Sequence, residues 1–122
     1  MTKYILDTNV LLRYFLKDIP SQSEEAARLF RQAKHREIEL TIPLIVFFET
    51  TCILTKYYMF DRDAVREKCV QLIVTPYVDI PDREILREAY MIWMREQAIS
   101  LADAVLYCMA VFGGKKLFTF DL

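Results

Sequence analysis

Apolar and polar positions along the chain change period several times, and each change marks an element. Lys3-Tyr4-Ile5-Leu6 predicts a short buried strand that stops at Asp7-Thr8-Asn9, all good helix-capping residues. Val10 to Leu16 continues as an apolar helix, and Pro20-Ser21 restarts the chain. Ser21 with Glu24 reads as a capping box, Glu24 stands four residues before Arg28, and Ala26, Phe30 and Ala33 form an inward stripe. Ile38 to Ile42 alternates as a strand does. Pro43 suits the start of a helix that runs to about Tyr58 and is apolar nearly all round, so a central position is expected.

Asp61 is placed to cap a fourth helix with Ala64, Val65, Lys68 and Cys69 on one side and Leu72 and Ile73 following. Tyr77 to Ile80 predicts another short strand. Pro81-Asp82 then opens a helix carrying Ile85, Leu86, Ala89, Ile92 and Trp93 at helical spacing. Ser100 caps a last helix, Leu101 to Phe112, which Gly113-Gly114 ends, and Lys116 to Phe120 predicts a final strand running into Asp121. Strand and helix alternate throughout. The expectation is an α/β fold, a three-layer α/β/α sandwich around a mainly parallel sheet. Residues 1–122 contain no internal repeat, linker or low-complexity stretch, so one domain is expected.

Composition narrows this reading without changing it. Just over half the residues are apolar, 54%, enough for a real core, and the two glycines are too few for a turn-rich β sandwich. The net charge of −1 sets the chain apart from strongly basic nucleic-acid binders. An enzyme that holds its substrate through metal ions can be near neutral, because the ions supply the local positive charge. Cys52, Cys69 and Cys108 form no close pair and sit in apolar helical patterns, as small buried hydrophobes of a reducing compartment do. The early Asp7 leaves no room for a signal-peptide apolar region, and the apolar run Ala104 to Phe112 falls far short of the ~20 residues of a membrane span. A soluble, cytoplasmic protein is expected.

Four carboxylates stand out against apolar surroundings. In open parallel sheets the ligand site lies at the carboxyl ends of the strands. Asp7 ends the first predicted strand and Asp121 the last. Asp103 is flanked by Ala102 and Ala104, and Glu49 lies in Phe47-Phe48-Glu49-Thr50-Thr51, where a solvated glutamate is not expected. Each has a plainer alternative. Asp7 can cap the helix after it, Asp103 completes a Ser-x-x-Asp capping box with Ser100, Glu49 can sit on an exposed helix face, and Asp121 can be a solvated chain end. Taken together they point to a bound cation, since half-buried carboxylates repel one another until one neutralises them.

Leu6-Asp7-Thr8-Asn9-Val10-Leu11-Leu12 resembles the opening motif of PIN domains, in particular the VapC-type toxins of toxin–antitoxin pairs. Pro43 to Glu49 resembles the family's second acidic element, Ser100-Leu101-Ala102-Asp103-Ala104 its third, and Thr119-Phe120-Asp121 its closing Thr-x-Asp. The resemblance implies a metal-dependent endoribonuclease in which Asp7, Glu49, Asp103 and Asp121 hold Mg²⁺ or Mn²⁺. Thr8, Asn9 and Thr119 would orient carboxylates or water. It also implies an RNA substrate, a cognate antitoxin and a homodimer. Such domains usually continue for a short segment past the last aspartate, whereas this sequence stops at Leu122, so a domain lacking that segment is expected.

Other chemistry fits less well. Acid–base catalysis by two histidines is excluded, because His35 is the only one, and Lys34-His35-Arg36 reads as a solvated helix end. Arg13, Lys115 and Lys116 are candidates for phosphate contact. Phe15, Tyr57, Tyr58, Met59 and Trp93 are candidates for a dimer or antitoxin surface, and core packing explains them equally well. Two rivals share the fold: a PIN nuclease of RNA processing without an antitoxin, and an inert PIN-like scaffold that binds RNA or protein. Retention of all four carboxylates argues against the scaffold. Phosphatases and receiver domains also begin strand-then-aspartate, but the first needs an aspartate where Asn9 stands, and the second needs paired acidic residues near its start.

Overall fold

The structure is a computed structural model that describes residues 1–120. The fold class is α/β: among the described residues a parallel two-stranded sheet is joined by six helices. The chain divides into two compact units, Met1–Pro81 and Asp82–Leu122.

The first unit opens with β1 (Thr2–Ile5), α1 (Thr8–Leu16), α2 (Pro20–Lys34) and β2 (Ile38–Thr41). α1 and α2 form the crossover that a parallel strand pair requires. Thr2 faces Ile38 and Ile5 faces Thr41, and Leu6 N–H extends the ladder by donating to Thr41 O at 3.0 Å. α3 (Leu44–Lys56) and α4 (Arg62–Ile73) follow. The expected stripe of α2 is the buried one, Ala26, Phe30 and Ala33, and α4 buries Val65, Cys69, Leu72 and Ile73. Asp61 caps α4, its carboxylate accepting from Ala64 N–H at 3.0 Å.

Several expectations need correction here. β1 is exposed along its whole length, with Ile5 74% accessible: α2 packs on β2, whereas the element β1 contacts most is β2 itself. Tyr77 to Ile80 forms one parallel bridge and no strand: Asp79 N–H donates to Leu40 O and Ile42 N–H donates to Asp79 O. α2 starts earlier than the Ser21 capping box implies. Pro20 takes the first helical position, where its missing N–H costs nothing, and no side chain caps the end. Glu24 pairs with Arg31 instead of Arg28, and Arg28 pairs with Glu25.

In the second unit α5 (Arg83–Arg95) packs against α6 (Leu101–Phe112). Leu86, Ala89, Tyr90 and Trp93 are buried on α5, and Leu101, Ala104, Val105 and Cys108 on α6. Tyr90 and Trp93 meet edge to face at 5.9 Å. Trp93 is thus a core residue, 4% exposed, and is removed from the candidate partner surface. Ser100 caps α6 as expected. Gly113 ends it, and Gly114 follows at φ 64°, a conformation that an L side chain would strain. Lys116 to Phe120 forms no strand among the described residues. None of the described helices is long and apolar enough to cross a membrane.

Candidate functional site

Asp7 sits where β1 has ended and α1 begins. Its backbone is extended, and Oδ1 accepts from Val10 N–H at 3.0 Å. The carboxylate therefore caps the helix, as the plainer reading of the sequence allowed. The cap occupies one oxygen and leaves the other unpartnered among the described residues. The side chain is exposed and borders a cavity of about 490 Å³, lined also by Asn9, Val10, Arg13, Gln22, Glu25, Ala26 and Leu29.

Glu49 reaches the same turn from α3. The Thr8 hydroxyl donates to Glu49 Oε1 at 3.2 Å, a bond across 41 positions of sequence. Glu49 is exposed, against the expectation drawn from its apolar neighbours. α3 buries Val46, Phe47, Thr50, Thr51 and Leu54, and this stripe leaves Ile45, Glu49 and Lys56 on the accessible side. In this unit, then, the turn Asp7-Thr8 and the α3 carboxylate are brought together by one side-chain bond. Thr8 thus contacts Glu49, and Asn9 lines the cavity beside Asp7.

In the second unit Asp103 occupies the first turn of α6, exposed. Its backbone N–H donates to Ser100 Oγ at 3.1 Å, so the serine is the cap. Asp103 and Thr119 line one cleft of about 750 Å³ with Ile92, Arg95, Glu96, Ile99, Tyr107 and Leu117 among its walls. Asp121 lies outside the described residues.

Gln22 and Glu25 in the first unit were not foreseen as neighbours of Asp7. Helical spacing groups Gln22 with Glu25 and the stripe residue Ala26, but no local signal places that face beside Asp7. Arg13 is less available than its sequence position suggests. Its guanidinium bonds Asp18 at 3.1 Å, and its side chain is only 17% exposed. Lys115 and Lys116 are exposed, and His35 is the exposed C-cap of α2.

The donors offered by Asp7, Thr8 and Glu49 are all hard oxygens, the kind that Mg²⁺ and Mn²⁺ select. Among the described residues no group of three or more His, Cys, Asp or Glu gathers as a metal site. The PIN domain family matches residues 4–122. The chain belongs to the PIN domain family. Its α/β fold is the one expected of such a domain, and PIN domains are typically nucleases that depend on divalent metal. A nucleic acid is accordingly the general class of substrate for a PIN nuclease. No curated protein and no solved structure matches the chain.

Proposed function

We propose that this PIN domain is an endoribonuclease that hydrolyses RNA phosphodiester bonds with Mg²⁺ or Mn²⁺, and that it is the toxin of a type II toxin–antitoxin pair. The observation that carries the reading is the Thr8–Glu49 bond, which holds a second carboxylate beside the turn that presents Asp7. Asp7 and Glu49 each keep one carboxylate oxygen unpartnered among the described residues, and these oxygens would hold the cation. When bound, the metal would lower the pKa of a water and offset charge on the phosphate. Asp7 is fixed by its bond to Val10 N–H and Glu49 by the Thr8 hydroxyl, so neither needs to be ordered on binding. Metal roles for Asp103 and Asp121, and an orienting role for Thr119, follow from the ordered motifs of the sequence. So do a single domain over residues 1–122, a homodimer and a cognate antitoxin.

The test is cleavage of a labelled RNA by the purified chain in Mn²⁺ and in EDTA, with Glu49→Gln and Thr8→Val beside the wild type. Cleavage is expected only with metal. Glu49→Gln should abolish it, and Thr8→Val should lower it by roughly 10- to 100-fold, the usual effect of losing an orienting partner of a metal ligand. Cleavage that persists in EDTA, or a Glu49→Gln enzyme of native activity, would overturn the assignment.

A further inference from the structure

A larger opening in the first unit lies away from the Asp7 cavity and has a different character. It is a groove of about 730 Å³ at the far end of α1, lined by Tyr14, Phe15, Lys17, Phe30, Lys68 and Tyr77 among others. α1 has nine residues and so rises about 13 Å, which separates the groove from the Asp7 turn by a few nucleotides of extended strand.

Two observations concern what the groove takes. Its wall is aromatic: Tyr14 packs on Phe30 with ring centroids 4.2 Å apart and on Phe15 at 5.9 Å. Burial, and secondarily Tyr77, hold the Tyr14 phenol above its ordinary pKa. Two cations line the same groove. Lys68 Nζ lies 5.9 Å from the centre of the Phe15 ring, and neither Lys17 nor Lys68 forms an ion pair among the described residues. The one carboxylate of the lining, Glu24, is already engaged by Arg31. Finally, Lys17 is the C-cap of α1 at φ 55°, the left-handed conformation in which glycine is favoured and a lysine is strained. Arg36, Met59 and Asp82 share this conformation, so at Lys17 it serves only to make glycine a substitution the backbone accepts.

We propose that this groove holds single-stranded RNA, with bases against Tyr14, Phe15 and Tyr77 and phosphates near Lys17 and Lys68. Aromatic faces together with unpaired cations are the recurring components of single-strand binding. An acidic peptide would satisfy the lysines but would leave the aromatic wall without planar partners. The inference deepens the ribonuclease reading and rests on it for the identity of the nucleic acid.

The test is binding of a fluorescein-labelled oligouridylate in EDTA, where metal-dependent cleavage cannot proceed, with duplex RNA and an acidic peptide as competitors. The single strand should bind more tightly than the duplex. Tyr77→Leu should weaken it by about 5- to 100-fold, the range for loss of one stacking partner. Lys68→Gln and Lys17→Gly should each weaken binding and reduce the slope of log affinity against log salt by about 0.7, as for one phosphate contact on a single strand. Lys17→Gly should also raise or preserve the melting temperature, since glycine relieves the strained cap, so its weaker binding cannot come from unfolding. Native affinity and salt slope in all three variants would overturn the proposal, as would displacement by the acidic peptide but not by unlabelled oligouridylate. Cleavage in Mn²⁺ together with unaffected groove variants would sink the groove and leave the ribonuclease reading standing. Impaired binding without cleavage would do the reverse.

Discussion

The two helices that begin with a functional candidate carry their aspartates in different ways. At the start of α1 the Asp7 carboxylate is itself the cap, accepting from Val10 N–H. At the start of α6 the cap is the Ser100 hydroxyl, and Asp103 contributes only its backbone N–H to that bond. Both carboxylates gain from the helix dipole, which favours a negative charge in the first turn. Of the two carboxylates, only that of Asp7 combines a structural duty with an oxygen left unpartnered among the described residues. Charge and capping are therefore coupled in one side chain on α1 and divided between two on α6, and substitutions can separate them.

The largest expected effect is on metal response. With Mn²⁺ at 100 times its Kd, the wild type should gain about 2.7 kcal/mol of stability, and Asp7→Asn should gain little. Thermal melts in EDTA and in Mn²⁺ measure this, and equal shifts in the two proteins would remove Asp7 from the metal site. In EDTA the same substitution should cost less than about 1 kcal/mol, because asparagine caps as well as aspartate and only the charge–dipole contribution is lost. Asp7→Ala, which removes the cap too, should cost about 1 kcal/mol more than Asp7→Asn.

On α6 the two properties should come apart. Ser100→Ala should cost about 1 kcal/mol in EDTA and in Mn²⁺ alike, since only the cap is lost. Asp103→Asn keeps the Ser100 bond and should melt close to the wild type in EDTA. If Asp103 is a ligand, as proposed, its gain in Mn²⁺ should shrink. Unchanged gain would leave Asp103 a plain first-turn acid. The smallest effect should be at Ser21. α2 has no side-chain cap, so Ser21→Ala should stay within about 0.5 kcal/mol of the wild type, and a loss comparable to Ser100→Ala would show that the capping difference is misjudged.

How far the sequence could be read follows the same physical division. Periodicity placed the α2 stripe at Ala26, Phe30 and Ala33 correctly, because helical burial repeats along a single element. Capping chemistry placed Asp61 and Ser100, since those bonds close within three residues. What depended on distant partners was not legible. Tyr77 to Ile80 has the composition of a strand, yet Asp79 makes only one bridge to Thr41, and β1 is exposed while β2, on which α2 packs, is half-buried. Glu49 shows both sides of this. Its apolar neighbours predicted burial, but the helix turns it outward, and nothing local in sequence announces the Thr8 hydroxyl that meets it.

The central claim is that Asp7 serves a cation that cuts RNA, beyond its service to α1. The most direct measurement is the rate at which purified wild type and Asp7→Asn cleave the same single-stranded RNA in millimolar Mn²⁺, after melts in EDTA have shown both folded. The wild type should cut and Asp7→Asn should not, since asparagine keeps the cap and removes only the charge. Equal cleavage by the two proteins would contradict the claim and leave Asp7 a helix cap alone.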